Sequence, residues 1–128
     1  MATFSGQPDM PYLVCTPREF DEATCLVMSG DLDIADVAAF IGHLTKAVER
    51  GRNTVLDLSG IRYIDSSGIH ALIDARRRFN AMGRNVVLAA LSPWVERIFQ
   101  TIAMDQVVPV FPTVEAALAS FRDRIGSA

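Results

Sequence analysis

"VLDLSGIRYIDSSGIHAL", residues 55–72, joins an apolar run to an amphipathic one through Asp65, Ser66, Ser67 and Gly68. Residues 54–58 (TVLDL) read as a β-strand, and Ser59 with Gly60 gives a turn signal. Ile69, Leu72, Ile73 and Phe79 then fall on one face of a helix that Gly83 closes. A strand, a loop and a helix in direct succession predict an α/β fold. Such folds place their sites in loops at the carboxyl ends of strands, and residues 64–68 are a loop of that kind.

Downstream, "VVLAA" (86–90) is a continuous apolar run, as expected of a strand covered on both faces by crossover helices. Ser92 and Pro93 start a helix striped by Val95, Ile98, Phe99 and Ile102. "VVPVF" (107–111) is a short strand that Pro109 assigns to a sheet edge, and Val114, Ala117, Leu118, Phe121 and Ile125 mark a last helix. Upstream, Val37, Phe40, Ile41, Leu44 and Val48 stripe a helix that Asp33 is expected to cap and Gly51 to end. "YLVC" (12–15) and "CLVM" (25–28) are predicted to pair as an antiparallel hairpin across the polar loop "TPREFDEAT". The order is β-β-α-β-α-β-α-β-α. This predicts one domain over residues 11–128, a mixed four- to five-stranded sheet packed with about four helices, behind a flexible leader at 1–10.

A chain of 128 residues, half of them hydrophobic and 21% charged, has the balance of a globular protein with a single core. The net charge of −3 supplies no positive field for nucleic acid, and the basic run Arg76 to Arg78 is short. No apolar run approaches the roughly 20 residues of a bilayer-crossing helix, so membrane insertion is not expected and the cytoplasm is the expected location. Cys15 and Cys25 lack metal or redox spacing and read as buried free thiols. Hairpin pairing would bring them close enough for a disulfide, against which a cytoplasmic location argues.

Asp65 as the helix cap would accept from the free amides of the first turn, leaving Ser66 and Ser67 as the first helical residues. A purely structural cap explains that much. It does not explain three polar side chains in one turn, nor Gly68, which costs about 1 kcal/mol relative to alanine in a helix. A glycine there suits a close approach to the backbone. A hydroxyl at a helix N-terminus is also a favourable seat for a phosphate, which carries about −1.5 to −2 charges.

These residues resemble the signature of the STAS domain of bacterial anti-sigma factor antagonists, in which a strand leads to Asp-Ser-Ser-Gly at the start of a helix. "SGDLD" (29–33) resembles the family's Gly-Glu-Leu-Asp turn, "LSPWVERIF" (91–99) its Ser-Pro segment, and "VEAAL" (114–118) its last helix. The resemblance implies a STAS-like fold and a non-enzymatic, phosphorylation-switched regulator. The dephosphorylated form sequesters an anti-sigma factor that is also a serine kinase, which frees a sigma factor for transcription. Phosphorylation ends the interaction, and a serine phosphatase restores it. By resemblance Ser66 is the phosphoacceptor and Ser67 a secondary candidate. Asp65 would cap and orient the loop, Ser67 would line the contact surface, and Gly68 would allow a partner's close approach. The turn carrying Asp31 and Asp33 would border the same surface, although helix capping explains Asp33 equally well. Asp31 stands where the family has glutamate, and His70 where a small residue is common; His70 reads either as a determinant of partner choice or as a solvent-facing histidine.

Three other readings compete. A serine nucleophile would need a base, and His43 and His70 lie in no triad motif. Asp31, Asp33 and Asp65 would have to converge to hold a hard cation, whereas caps and turns explain all three, so no metal is expected. No glycine-rich phosphate loop is visible and no cofactor is expected. The third alternative keeps the fold: the STAS subunit of a lipid-transport ABC complex, acting without phosphorylation.

Overall fold

The computed structural model describes residues 13–127, with side chains described through Arg122. The leader expected over residues 1–10 lies outside the described residues. In chain order come β1 (Val14–Glu19), β2 (Thr24–Leu32), α1 (Val37–Arg50), β3 (Thr54–Ile64), α2 (Ser66–Ala81), β4 (Val86–Ala89), α3 (Pro93–Thr101), β5 (Val110–Phe111) and α4 (Val114–Ser127). The strands lie in the order β1-β2-β3-β4-β5, with β1 antiparallel to β2 and the other pairs parallel. This is the mixed sheet expected from the alternation of strand and helix patterns.

The period of two along each strand divides the core between the two faces. In β4, whose residues are all buried, Val86 and Leu88 join one apolar cluster while Val87 and Ala89 join the other. The larger cluster receives Phe40 and Leu44 of α1, Leu72 and Phe79 of α2, and Val95 and Phe99 of α3. The smaller one packs Ala117, Leu118 and Phe121 of α4 against Cys25, Val55 and Val87. Each fully buried Phe or Leu contributes about 1.5–3 kcal/mol, enough in sum to fix the sheet between its helical layers. Cys15 belongs to the larger cluster and Cys25 to the smaller, so the two thiols lie on opposite faces of the sheet and cannot bond to each other. Burial pushes both up to about 11, and for Cys25 the Asp57 carboxylate adds to the rise while Arg18 opposes it.

Several expectations need correction. Most of "TPREFDEAT" is strand rather than loop: β1 continues to Glu19, and the connection is a tight one closed by the Phe20 amide on the Ala23 carbonyl at 3.0 Å. Only Cys15 of β1 is buried, so an edge strand facing solvent looked polar enough to be a loop. Pro17 pairs with Leu26 without a register shift, which places its missing donor on the open edge of the sheet.

Ser59 and Gly60 form no turn either, because β3 runs straight through them. Two residues of β3 stand opposite Met28 between the pairs Asp57–Val27 and Gly60–Ser29, which is a bulge. Asp57 accepts from the Ser59 amide at 2.9 Å, and a Cβ on Gly60 would lie 2.7 Å from the Met28 carbonyl oxygen. The glycine answers to strand crowding, not to chain reversal. Beyond α3, Ile102 is exposed, and an unexpected 3-10 turn (Met104–Gln106) buries Met104 in the core instead.

Candidate functional site

β3 ends on buried Ile64, and the next residue, Asp65, is extended (φ −117°, ψ −174°) and caps α2. One carboxylate oxygen, Oδ1, accepts from the amides of Ser67 at 2.9 Å and Gly68 at 3.2 Å, and also from the Ser67 hydroxyl. The other, Oδ2, accepts from the amide of Ile34 at 3.0 Å, across 31 positions of sequence. The Asp65 amide in turn donates to the Leu32 carbonyl at 3.3 Å. These donors hold the Asp65 carboxyl below the usual carboxylate range, the Ser67 hydroxyl most of all; desolvation opposes it, and the Gly68, Ile34 and Ser67 amides reinforce it.

The two hydroxyls are therefore not equivalent. Ser67 is half-buried and spends its proton on Asp65. Ser66 is exposed, and its hydroxyl has no partner among the described residues.

Gly68 is buried, and a Cβ there would lie 2.3 Å from the Leu32 carbonyl oxygen and 2.9 Å from Leu32 Cγ. The chain itself thus makes a close approach at this glycine, as α2 packs on the end of β2. Asp33 also differs from expectation. Its Oδ1 accepts from Ala35 and Asp36, both at 3.1 Å, so it caps the turn before α1, while Asp36 holds the N-cap position without a side-chain bond. Asp31 is half-buried and forms an ion pair with Arg62 of β3 at 3.5 Å. The three aspartates do not converge, and among the described residues no group of three or more His, Cys, Asp or Glu is disposed to hold a metal ion.

His70 is exposed one turn along α2, on a groove of about 340 Å³ between α1 and α2 that Val37, Ile41, Leu44, Ser67 and Ala71 also line. His43 is half-buried on α1. The structure thus brings Asp33, Asp65, Ser66, Ser67 and Gly68 together, with His70 beside them and Asp31 turned to the neighbouring strand. Sequence reasoning missed Ile34, which is tied to Asp65, and the stack of Tyr63 on Trp94 with ring centroids 5.5 Å apart. Neither carries a local signal, since both depend on contacts between distant segments. Among the described residues no helix is long and apolar enough to cross a membrane.

A strand delivering Asp-Ser-Ser-Gly to a helix start in this sheet order agrees with the profile of the STAS domain, which matches residues 16–117. The chain belongs to the STAS domain family. This STAS chain is 27% identical over 108 residues to BtrV of Bordetella bronchiseptica, a protein named for anti-sigma factor antagonism, covering 84% of the chain and 93% of BtrV. In fold it is similar to an anti-sigma factor antagonist from Mycobacterium paratuberculosis (TM-score 0.76, 22% identity, 88% and 96% covered). It is also similar to the Bacillus cell fate determinant SpoIIAA in its phosphorylated form (TM-score 0.61, 21% identity, 88% and 99% covered).

Proposed function

We propose that this chain is an anti-sigma factor antagonist whose binding is switched by phosphorylation of Ser66. The observation that carries the reading is the division of labour at the start of α2. Asp65 and Ser67 complete the cap between them, which leaves Ser66 exposed with an uncommitted hydroxyl. A phosphate there meets the positive end of the helix, an attraction of about 0.3–1 kcal/mol, partly offset by the nearby Asp65 carboxylate. The fold should therefore tolerate it. A partner surface packed over the same helix end would not. Placing a charge of about −1.5 to −2 under an apolar or acidic surface costs several kcal/mol, and about 4 kcal/mol is nearly a thousandfold in affinity.

The names borne by BtrV and the Mycobacterium protein support an anti-sigma factor as the partner, and the phosphorylated form of SpoIIAA supports phosphorylation on this fold. In this reading the partner is also a serine kinase, a serine phosphatase resets the switch, the chain acts by binding and not by catalysis, and the setting is the cytoplasm, where a sigma factor is freed for transcription. Ser67 is the weaker acceptor, because a phosphate there would face the carboxylate that its hydroxyl now serves.

The test combines the kinase-type anti-sigma factors of the source organism, purified singly, with the wild-type chain, Ser66→Ala and Ser66→Asp. One of them should bind wild type and Ser66→Ala, bind Ser66→Asp at least a hundredfold more weakly, and in ATP place phosphate on Ser66 alone by peptide mapping. Phosphate mapped to another residue would overturn the assignment. Equal binding of all three forms to a transport ATPase would move the chain to the lipid-transport reading.

A further inference from the structure

We infer that the cleft between α4 and β1 binds a small zwitterion, an α-amino acid with an apolar side chain, whose carboxylate meets Arg18 and whose ammonium meets Asp57 and Glu115. The site lies on the face of the sheet opposite α1 and α2 and is independent of the function proposed above. It follows from how unevenly the sheet is covered. Residues of α1, α2 and α3 fill the larger cluster, whereas α4 stands alone on the other face and packs mainly on β3, β4 and β5. A helix is about 10 Å across and neighbouring strands lie about 4.8 Å apart, so one helix cannot cover the whole width of this sheet. What remains beside α4 is a cleft of about 480 Å³, within the range of small-ligand sites.

Two charges stand in this cleft against the strand pattern. Residues paired across neighbouring strands point to the same face, so the pairs Arg18 with Cys25 and Val27 with Asp57 put all four side chains on the side of α4. In β3, Val55 is buried in the smaller cluster, and two residues on, where the period of two calls for another apolar side chain, the chain carries Asp57. Asp57 Oδ1 accepts from the Ser59 amide, but Oδ2 has no hydrogen bond among the described residues. Arg18 lies over the Phe20 ring, 5.6 Å from its centroid, and forms no ion pair among the described residues. Beyond the effect of burial, Asp57 raises the Cys25 thiol and Arg18 lowers it, so both charges bear on one buried point of the floor. They face the same cleft without pairing with each other.

Opposite charges held apart in one cavity select a ligand that carries both. A simple carboxylate would meet Arg18 but also face Asp57 and Glu115, and a simple amine would leave Arg18 unanswered. An α-amino acid presents both charges at one carbon, and its side chain falls on the apolar wall and floor formed by Val27, Val114 and Leu118. Hydrogen bonds between ionised partners are roughly twice as strong as neutral ones. The guanidinium is already stacked on Phe20, so little of its freedom remains to be lost on binding.

The test follows the amide resonances of the isotopically labelled chain as L-leucine, L-methionine or L-phenylalanine is added. At least one of the three should shift the amides of Val27, Asp57 and Leu118 and saturate below about 1 mM, leaving those of Ser66 and His70 in place. The deaminated acid and the decarboxylated amine of the same skeleton, each lacking one charge, should bind about tenfold more weakly or worse. Arg18→Gln and Asp57→Asn should weaken the amino acid by a similar factor; the asparagine keeps an oxygen for the Ser59 amide, so its melting temperature should stay near wild type. The analogues need no variant and decide the question where a substitution lowers that temperature. No shift at the cleft by any of the three amino acids at about 10 mM would overturn the inference. So would shifts centred elsewhere, equal binding of either single-charge analogue, or wild-type affinity in both variants.

Discussion

Asp65 uses both oxygens of one carboxylate, one on the start of α2 and the other on the turn before α1. Its folded pKa lies below the ordinary value, so its contribution to stability is complete above the unfolded pKa of about 4 and is lost as pH falls through the lower folded value. The urea midpoint of wild type should therefore exceed that of Asp65→Asn by most at pH 7, and the gap should narrow toward pH 3. Glu19, held low by the Thr24 hydroxyl and by Arg52, also loses stabilisation in acid, but it does so in both proteins and leaves the difference intact. At Gly68 two effects compete. Alanine gains about 1 kcal/mol of helix propensity, but its Cβ would meet the Leu32 carbonyl oxygen at 2.3 Å, and overpacking of that kind costs about 1–3 kcal/mol. Because the obstacle is backbone, the upper end should win, and Gly68→Ala should lose about 2 kcal/mol in urea denaturation. The cap was legible because Asp, Ser and Gly sit within one turn. The link to Ile34 was not, since nothing in either segment marks the other.

At the level of elements, the helices were legible from their stripes and the buried strands from their apolar runs, because burial on one or both faces writes a period into the sequence. The errors fell where that coupling weakens. β1 has one buried side chain in six residues and so left no period to read, while the β3 bulge placed a glycine where glycine usually signals a turn. α4 covers the smaller cluster by itself, and its Phe121 is 1% exposed. Phe121→Ala should cost about 3–5 kcal/mol, read as a lowered melting temperature. Since α4 lies on the face opposite α1 and α2, that variant should, under the function proposed above, still take phosphate on Ser66 at the wild-type rate below its own melting point.

Taken whole, the molecule separates its tasks by face and by end. α1 and α2 bring the candidate site to the carboxyl end of β3, while the far face is closed by α4. The thiols report on this division: with both pushed up to about 11 and buried on opposite faces, roughly one in a thousand is thiolate at pH 8. A chromogenic disulfide reagent at that pH should label neither cysteine in the native chain within minutes, and both at once in denaturant. The open edge of the sheet has a different significance. Strands left unpaired invite a neighbour to extend the ladder, which is how many proteins polymerise when crowded. β1 meets that hazard with Pro17 beside Arg18 and Glu19, and β5 meets it by being two residues long and preceded by Pro109. Under the function proposed above the chain has to stay dispersed between encounters, and among the described residues both margins of this sheet are finished in a way that opposes growth into fibre.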